Sequence, residues 1–487
     1  MVDSKGRDPS LLDSLIPVVV LIILLSMSVY LYGDGSSSGA NQIALLLSGS
    51  VALLIGYKNG FKWREINKAI AQGVASIFGS LLIIMTVGSL IGILILSGTV
   101  PAMIYYGLQI VNPNIFYFTA CILCAIAAIS IGSSWSVAGT IGIGLMGISA
   151  GLGLSLEITA GAIISGAYFG DKMSPLSDTT NLAPAVAGTD LFIHIRHMTW
   201  TTFPSIGIAL VLYLIIGFAS GADVGEIDLQ ERLTVIESNF EINLLLFLPL
   251  IAIFYMAIKK FPAFPALIIA SIIAAILAVI FQHDVILKFV NAPGRGDAIN
   301  LIGGIWQALF SGYVADTGNV EINDLLTRGG LNNMTDTVTL VLCAITFGSI
   351  LERLGILQRL VVDMINLATT TGSLIFVTAI TCLGINIIAG DQYIAIVLPG
   401  RMYRLEFQKR GLAAKNLSRA LEDTGTVTSV LIPWNTCGAF MSGALGIATF
   451  AYAPYCFFNI LSPIISVCYG IFNIKISPID EAEIVPE

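Results

Sequence analysis

The chain has 487 residues, of which 56% are hydrophobic and 11% are charged, and its net charge is −8. Soluble domains carry about 25% charged residues, so this composition excludes an ordinary soluble protein and favours one polytopic membrane bundle. Acidic residues are spread over loops and termini, and the sequence has no basic patch that would indicate a nucleic-acid partner.

Apolar runs in the first half predict a series of membrane helices. The run 15–32 is longer than the core of a signal peptide, and the basic residues before it are offset by acidic ones, so we expect it to be the first span. The segment 132–136 is small and polar, which predicts either an aqueous loop or the tip of a re-entrant hairpin. The predicted elements of this half are 15–32, 42–57, 75–96, a short interfacial run 100–111, the arms 115–131 and 137–150, 156–169, and 200–218.

The second half repeats this pattern after a polar and acidic segment, 219–241, which we interpret as a linker. A polar insertion, 311–336, separates its early spans from its later ones. The predicted elements are 243–258, 263–281, an apolar run 298–309, 337–350, a short run 355–367, a hairpin at about 373–405, a broken helix at about 412–446, and a last span 450–471.

The two halves align at an offset of roughly 250 to 260 residues, which is typical of a fold-level repeat. The tetrapeptide 86–89, Thr-Val-Gly-Ser, matches 346–349, Thr-Phe-Gly-Ser. The segment 132–135 falls near 390–393, and the polar stretch 170–188 corresponds to 421–438. Polar interruptions at equivalent places in two halves indicate the binding site of a transporter.

Basic residues predict the orientation. Lys58, Lys62, Arg64 and Lys68 place the loop after the second span in the cytoplasm, and the neighbouring loops carry no Lys or Arg. Four basic residues lie outside the cytoplasm in this arrangement, against the rule: Lys288, Arg295, Arg328 and Arg232. If the hairpin arms are counted as full spans, the later loops stay on the same sides of the membrane, so charge alone does not fix the number of spans. We expect five spans and one hairpin in each half, an odd number of crossings that makes the halves inverted.

The predicted fold is therefore an all-α polytopic membrane protein with two inverted repeats. Each repeat contains about five transmembrane helices, one re-entrant hairpin and one broken helix. Both termini are expected in the cytoplasm, and the protein in the cell inner membrane. The predicted parts are a first repeat 1–220 (hairpin about 115–150, broken helix about 155–188), an extracytoplasmic linker 221–241, a second repeat 242–473 and a cytoplasmic tail 474–487.

The stretch 170–188 is the predicted centre of function, because it is polar and helix-breaking but lies between apolar runs. Irregular backbone at membrane depth must line a cavity or be buried in protein. Asp171 and Asp178 would share one face of an unbroken helix. Pro175 instead favours a break, which frees carbonyl oxygens and exposes a helix N-terminus.

Oxygen-bearing side chains in both halves suit a hard cation such as Na⁺. Removal from water favours the neutral form of a carboxyl, so competition between H⁺ and Na⁺ for one site is the simplest mechanism of exchange. Asp171, Asp178 and Asp391 are the first candidates for binding Na⁺. The candidate ion-binding residues are Asp171, Ser174, Asp178, Thr179, Thr180, Asn181, Ser133, Ser134, Asp391, Gln392, Asp423, Thr424, Thr428 and Asn435.

Less specific interpretations stand beside these. The stretch 170–188 can be an ordinary cytoplasmic loop. Glu422 and Asp423 can pair with Lys415 and Arg419 on a solvated helix face. His194 and His197 either sense pH or lie passively at a helix end. Cys121 and Cys124 fit small helix residues better than a metal or redox pair, because no second pair accompanies them.

Residues 170–181, Gly-Asp-Lys-Met-Ser-Pro-Leu-Ser-Asp-Thr-Thr-Asn, resemble the signature of the NhaC family of sodium/proton antiporters, within the ion transporter superfamily. The similarity covers 15–472 and includes 132–140, 390–392 and 422–435. The resemblance implies an inverted-repeat fold in which two re-entrant hairpins and two broken helices meet near the midplane. It also implies Na⁺ extrusion driven by inward H⁺. Relatives in the family include malate/lactate exchangers and importers of other small organic or amino acids.

Three functions follow from these observations. The first is a Na⁺/H⁺ antiporter. The second is a Na⁺- or H⁺-coupled exchanger of a small carboxylate or amino acid, which would hold the carboxylate at half-helix N-termini near 133–136 and Gly390, assisted by Lys172 or Arg401. The third is a membrane scaffold without transport. The excess of acids over bases at the irregular stretches favours a cation.

The expected partners are the lipid bilayer, Na⁺ and H⁺, with a small organic anion or amino acid and a homodimer left open. No cofactor is expected beyond the transported ions. The sequence contains no phosphate loop, nucleotide motif or nucleophile triad, so we do not expect an enzyme.

Overall fold

Helices form all the regular elements of the part of the chain that this computed structural model describes, residues 6–220, 226–292, 294 and 296–479. Only two isolated β-bridges occur within those ranges, Tyr313 with Arg328 and Leu412 with Pro478. The all-α class predicted from the sequence is therefore confirmed.

The first half follows the predicted order closely. Its third predicted span, 75–96, corresponds to the helix Phe78–Leu96 and the last two residues of the helix before it, with Ile77 between them. The helices are α1 (Leu11–Tyr32), α2 (Ala40–Lys58), α3 (Trp63–Ser76), α4 (Phe78–Leu96), α5 (Thr99–Ile110), α6 (Phe116–Ile131), α7 (Ser134–Val137), α8 (Ile143–Gly151), α9 (Leu156–Met173), α10 (Asp178–Ala187) and α11 (Leu191–Ala219).

The acidic segment predicted as a linker is itself helical over much of its length, and a second helical series follows it. The helices are α12 (Glu226–Asn239), α13 (Leu248–Ile258), α14 (Ala263–Phe281), α15 (His283–Val290), α16 (Asp297–Ser311), α17 (Val320–Leu326), α18 (Thr335–Arg353), α19 (Ile356–Ile365), α20 (Thr371–Ala389), α21 (Gln392–Lys409), α22 (Ala414–Leu421), α23 (Thr436–Leu445), α24 (Thr449–Tyr452) and α25 (Phe457–Ile471).

Eight helical segments in the described ranges are long and apolar enough to cross a membrane. Two bent pairs, Gln230–Asn239 with Leu244–Ile258 and Thr436–Leu445 with Thr449–Tyr455, reach the same length when each is joined, at angles of 86° and 89°. A multi-pass membrane protein is therefore confirmed. The inverted relation of the halves stays a prediction. The eight segments contain α1, α2, α4, α6, α11, α14, α18 and α20.

The chain breaks between α9 and α10, where the sequence places Pro175. Ser174 has extended backbone (φ −85°, ψ 128°), as expected for a residue that precedes proline. Ser177 then caps α10, because its Oγ accepts the backbone N–H of Thr180 at 3.4 Å. The amide of Asn181 donates to the carbonyl oxygens of Pro175 and Ser177, which closes the turn between the two helices.

A second break follows α22 and has a different form. The helix continues as a π-helical turn over Glu422–Thr426, then as a 3₁₀ turn over Ser429–Leu431. Asn435 caps the next helix, α23, by accepting the N–H of Cys437 at 3.1 Å. Single π-turns inside helices occur frequently at functional sites, because they re-aim the side chains that they carry.

The tips of two helical hairpins contact these breaks. Gly132 joins α6 to α7 and Gly390 joins α20 to α21, both with left-handed backbone (φ 73° and 65°). A Cβ on Gly132 would lie 2.6 Å from Leu176 Cβ, inside the first break. The carbonyl oxygen of Gly390 accepts the N–H of Thr436, at the second break, at 2.9 Å. Each hairpin is thus seated on the interrupted helix of its own half.

The packing of the first tip can be tested with a matched pair of glycine substitutions. Gly132→Ala should lower stability by about 2–4 kcal/mol, because the side chain meets both the left-handed φ and the crowding by Leu176. Gly153→Ala has a similar φ of 65° but open space around its Cβ, so it should cost about 1 kcal/mol. Thermal unfolding in detergent compares the two variants, and equal Tm losses would contradict the close packing of the tip.

Candidate functional site

Four charged side chains lie buried together at the two helix breaks. Asp171 and Lys172 are in the last turn of α9, and Glu422 and Asp423 begin the π-helical turn after α22. Asp171 is 9% exposed and the other three are completely buried. We call these four residues the charged cluster. Buried charges are costly unless they are paired or neutralised, so this arrangement indicates function rather than stability.

An ion pair between Lys172 and Asp423 joins the two halves of the chain. Lys172 Nζ contacts Asp423 Oδ1 and donates to Ser462 Oγ at 3.1 Å. Asp423 Oδ1 also accepts the hydroxyl of Thr201 at 3.1 Å. Both charged side chains are fully buried and 251 residues apart in sequence. The pair therefore holds α9 of the first half against the π-helical turn of the second.

Asp171 is bound by the first hairpin tip. Its Oδ2 accepts the backbone N–H of Ser134 at 3.1 Å and the Ser134 hydroxyl at 2.7 Å. Thr180 Oγ1 donates to the carbonyl oxygens of Asp171 and Lys172 at 3.3 and 3.1 Å, so α10 is fastened to the end of α9. These two donors to one carboxylate oxygen offset part of the cost of burying Asp171.

Glu422 differs from the other two carboxyls of the charged cluster. Neither of its oxygens accepts a hydrogen bond of good geometry from the described residues, although the hydroxyls of Thr179 and Thr426 lie close to the carboxyl. Its polar neighbours are Lys172, Thr426, Thr179 and Asp171. A carboxyl that is completely buried and accepts no hydrogen bond is uncompensated unless it holds a proton or a cation. Glu422 is thus a candidate for binding either a proton or a cation.

A second polar group, formed by Asn386, Thr428 and Asn435, ties the second hairpin to the second break. Asn386 donates to the carbonyl oxygen of Gly425 at 2.7 Å and to Thr428 Oγ1 at 3.1 Å. Asn435 donates to the backbone and side-chain oxygens of Asn386 at 3.2 and 3.1 Å. These hydrogen bonds stabilise the irregular backbone between α22 and α23.

Asp391 and Asp178 lie outside the charged cluster. Asp391 is buried and caps α21, where its Oδ1 accepts the N–H groups of Tyr393 and Ile394 at 2.9 and 3.1 Å. Asp178 is exposed at the start of α10, and its Oδ2 accepts the Tyr393 hydroxyl at 2.7 Å. Of the three first candidates for Na⁺, only Asp171 belongs to the charged cluster, and Tyr393 links the other two.

The remaining predicted site residues mostly shape the backbone. Ser174 Oγ donates to the carbonyl oxygen of Ile129 at 2.8 Å, and Thr424 Oγ1 donates to that of Ala420 at 2.5 Å. Ser133 caps α7 by accepting the N–H of Ser136 at 3.2 Å. Thr179 is buried next to Glu422, and Gln392 is buried at the start of α21.

The interpretation of Glu422 and Asp423 as a solvated pair with Lys415 and Arg419 is wrong. Both acids are completely buried, and Arg419 is 1% exposed, with its guanidinium donating to the carbonyl oxygen of Lys475 at 3.1 Å. The stretch 170–188 is likewise not an ordinary loop, because Asp171, Lys172 and Thr180 are buried.

Several residues of the site were not among the candidates drawn from the sequence. Glu422 is one of the oxygen-bearing residues of the second half but not one of the candidate ion-binding residues, and Arg419 and Lys415, one and two helical turns before it, favour a solvated helix face instead. Thr201 and Ser462 contact Asp423 from α11 and α25, and no local motif marks them. Asn386 is the exception, since a lone amide in the apolar run 373–388 is a signal that sequence analysis can find.

His194 and His197 are both buried, and His194 Nδ1 lies 2.8 Å from Ser418 Oγ. All seven cysteines are free thiols. Within the described residues, no three His, Cys, Asp or Glu side chains converge closely enough to hold a metal ion by themselves. Any cation bound here would therefore need hydroxyl, amide or carbonyl oxygens in addition to carboxylates.

Comparison with known proteins gives consistent matches over the whole chain. Residues 166–474 match the model of the Na⁺/H⁺ antiporter family. The Na⁺/H⁺ antiporter NhaC of Alkalihalophilus pseudofirmus is 35% identical, with 95% of each chain covered. The malate-2H⁺/Na⁺-lactate antiporter of Bacillus subtilis is 32% identical over 95% of each chain. The arginine/ornithine antiporter ArcD of Halobacterium salinarum is 35% identical over 98% of this chain and 95% of its own.

The cost of separating the buried ion pair can be measured. Lys172→Met should destabilise the protein by about 3–5 kcal/mol, because it leaves Asp423 buried and unpaired. The double variant Lys172→Met/Asp423→Leu should recover most of that loss. As a control, Lys58→Met removes an ion pair with Asp13 in which Lys58 is 68% exposed, and it should cost at most about 1 kcal/mol. Similar unfolding midpoints for the two single variants would contradict the burial of Lys172.

Proposed function

This chain belongs to the Na⁺/H⁺ antiporter family, and we propose that it exports Na⁺ in exchange for H⁺ by alternating access, with the charged cluster as the exchange site. The observation that carries the proposal is the burial of Asp171, Lys172, Glu422 and Asp423 where the halves of the chain meet. A transported ion needs a polar site away from both membrane surfaces, and charged side chains in membrane proteins mark such sites.

The charged cluster contains three carboxyls and one lysine, so it is negative when all four groups are ionised and can accept a further positive charge. Lys172 neutralises Asp423, and the donors of Ser134 stabilise Asp171. Glu422 accepts no hydrogen bond of good geometry from the described residues, so ionising it adds an uncompensated negative charge. A proton on Glu422 or a Na⁺ beside it removes that charge equally well. Because the two neutralise the same group, binding of one displaces the other.

Free oxygen atoms in the cluster provide the ligands for a cation. Asp171 Oδ1 and Asp423 Oδ2 are buried and accept no hydrogen bond from the described residues. Thr426 Oγ1 also lacks a partner there and lies next to Glu422. Carboxylate and hydroxyl oxygens together suit a hard cation such as Na⁺. Lys172 would hold Asp423 in place while no cation is bound.

An organic anion fits the half-helix N-termini poorly. The N–H and hydroxyl of Ser134, at the start of α7, already bind Asp171. The first N–H groups of α21 bind Asp391. Carboxylates of the chain itself thus fill both of the places that a substrate carboxylate would use, which supports a cation as the cargo.

The arrangement of the chain in the membrane is part of the proposal. We propose inverted repeats over 1–220 and 242–473, an extracytoplasmic linker 221–241, and both termini in the cytoplasm at the inner membrane. The recurrence of a hairpin with a left-handed glycine tip and an interrupted helix supports the repeat, because these elements appear in the same order in both halves. The basic loop between α2 and α3 supports the orientation.

Exchange in proteoliposomes tests the proposal. An imposed Na⁺ gradient should drive a pH change inside vesicles that contain the wild-type protein. Glu422→Gln should reduce the initial rate at least tenfold, because an amide can neither release a proton nor balance Na⁺. Asp190→Asn is the matched control: Asp190 caps α11 outside the cluster, asparagine caps helices equally well, and the rate should stay within about twofold of wild type.

The same vesicles test the alternative function, which is transport of a small carboxylate or amino acid. Labelled malate, lactate and arginine should not be taken up above the level of empty liposomes, with or without a Na⁺ gradient. Uptake of any of them without a Na⁺-dependent pH change would contradict Na⁺/H⁺ exchange. Full activity of Glu422→Gln would remove the charged cluster from the exchange site.

A further inference from the structure

An apolar pocket opens on the surface of the helix bundle, between α1, α19 and α20. It has a volume of about 450 Å³, which lies within the range of ligand sites. Its walls are aliphatic apart from Asp363 and Thr381, and the Thr381 hydroxyl is already bonded to Tyr403 at 2.7 Å. The pocket is separate from the charged cluster and has no part in the exchange proposed above.

The residues around the pocket indicate that the lipid bilayer covers it. Leu11, Leu15, Leu367 and Ile380 form its rim and are exposed. Both α1 and α20 are long and apolar enough to cross a membrane, and their exposed apolar side chains are suited to contact lipid. Large apolar side chains around an apolar recess on such a face favour a hydrocarbon chain as its occupant.

A charged pair at the edge of the pocket complements a zwitterionic head group. Arg359 contacts Asp363 Oδ1 at 3.3 Å, one turn away on α19. The other oxygen, Oδ2, is buried and receives no donor from the described residues. A phosphate can bind the guanidinium of Arg359, and a primary ammonium can donate to the carboxylate of Asp363, because these side chains are 43% and 32% exposed.

We propose that this pocket binds one acyl chain of a membrane phospholipid whose primary-amine head group lies at the Arg359–Asp363 pair. The chain would enter between α1 and α19 and lie against α20 as far as Ile388, two residues before the hairpin tip at Gly390. The bound lipid thus forms part of the packing of the second hairpin.

Gly384 provides a way to fill the pocket without disturbing the fold. It lies in the pocket wall, and a Cβ built on it meets no atom within 4 Å. Gly207 on α11 has equally open surroundings and lies outside the pocket. Substituting leucine at either position therefore changes helix propensity by the same amount, and only Gly384→Leu occupies the space of the acyl chain.

The test uses the full-length protein in liposomes that contain phosphatidylethanolamine with a photoreactive group on one acyl chain. After illumination, mass spectrometry locates the adducts. Adducts should concentrate on the residues of α1, α19 and α20 that line the pocket. Gly384→Leu should reduce them at least fivefold, and Gly207→Leu should leave them unchanged. Asp363→Asn should lower labelling by this lipid severalfold but not labelling by the matching phosphatidylcholine, which has no N–H donor.

Adducts spread evenly over all lipid-facing helices would overturn the proposal, since they would indicate only the surrounding bilayer. Equal labelling in Gly384→Leu and wild type would do the same, as would a crosslink between two copies of the chain in place of a lipid adduct. Equal response of the two lipids to Asp363→Asn would remove the head-group assignment and with it the proposal as stated. Unchanged Tm values for Gly384→Leu and Gly207→Leu establish that both variants are folded.

Discussion

The cost of burying charge in an apolar interior governs the arrangement of this protein. Lys172 and Asp423 offset this cost by forming an ion pair between the two halves of the chain. Asp171 offsets part of it by accepting hydrogen bonds from the N–H and hydroxyl of Ser134. Glu422 accepts no hydrogen bond of good geometry from the described residues although it is completely buried. We propose that this carboxyl binds either a proton or a cation, and that competition for it couples the two ions without any contact between them.

The two helix breaks bring the side chains of the charged cluster together in the buried interior. Pro175 ends α9 directly after Asp171 and Lys172, so both side chains lie in its last turn. The π-helical turn carries Glu422 and Asp423 toward them from the second half. The chain's own carboxylates then fill the N-termini of α7 and α21, which removes the positions that would otherwise attract an organic anion. Local backbone geometry thus determines which charge the site can accept.

Much of the fold could be predicted from the sequence, because apolar runs and prolines act locally. The run 263–281 coincides with α14, and Pro175 and Gly132 mark a break and a hairpin tip as expected. The site was harder to predict, since its contacts join distant segments: no local pattern pairs Lys172 with Asp423. Lys415 and Arg419 favour a solvated position for Glu422, whereas Arg419 on α22 and Glu422 directly after it are both buried. Asp178, predicted as an ion carrier, is exposed at the start of α10 and bonds to Tyr393 there.

The central claim is that Na⁺ and H⁺ displace each other at the charged cluster. Infrared difference spectroscopy of the protein in liposomes, with Na⁺ replaced by choline at constant pH, observes this directly. Wild-type protein should lose a carbonyl band of a protonated carboxyl when Na⁺ is added, and Glu422→Gln should lack that change. The same carboxyl signal in both proteins, or none in a wild-type sample that still exchanges Na⁺ for H⁺, would contradict the account.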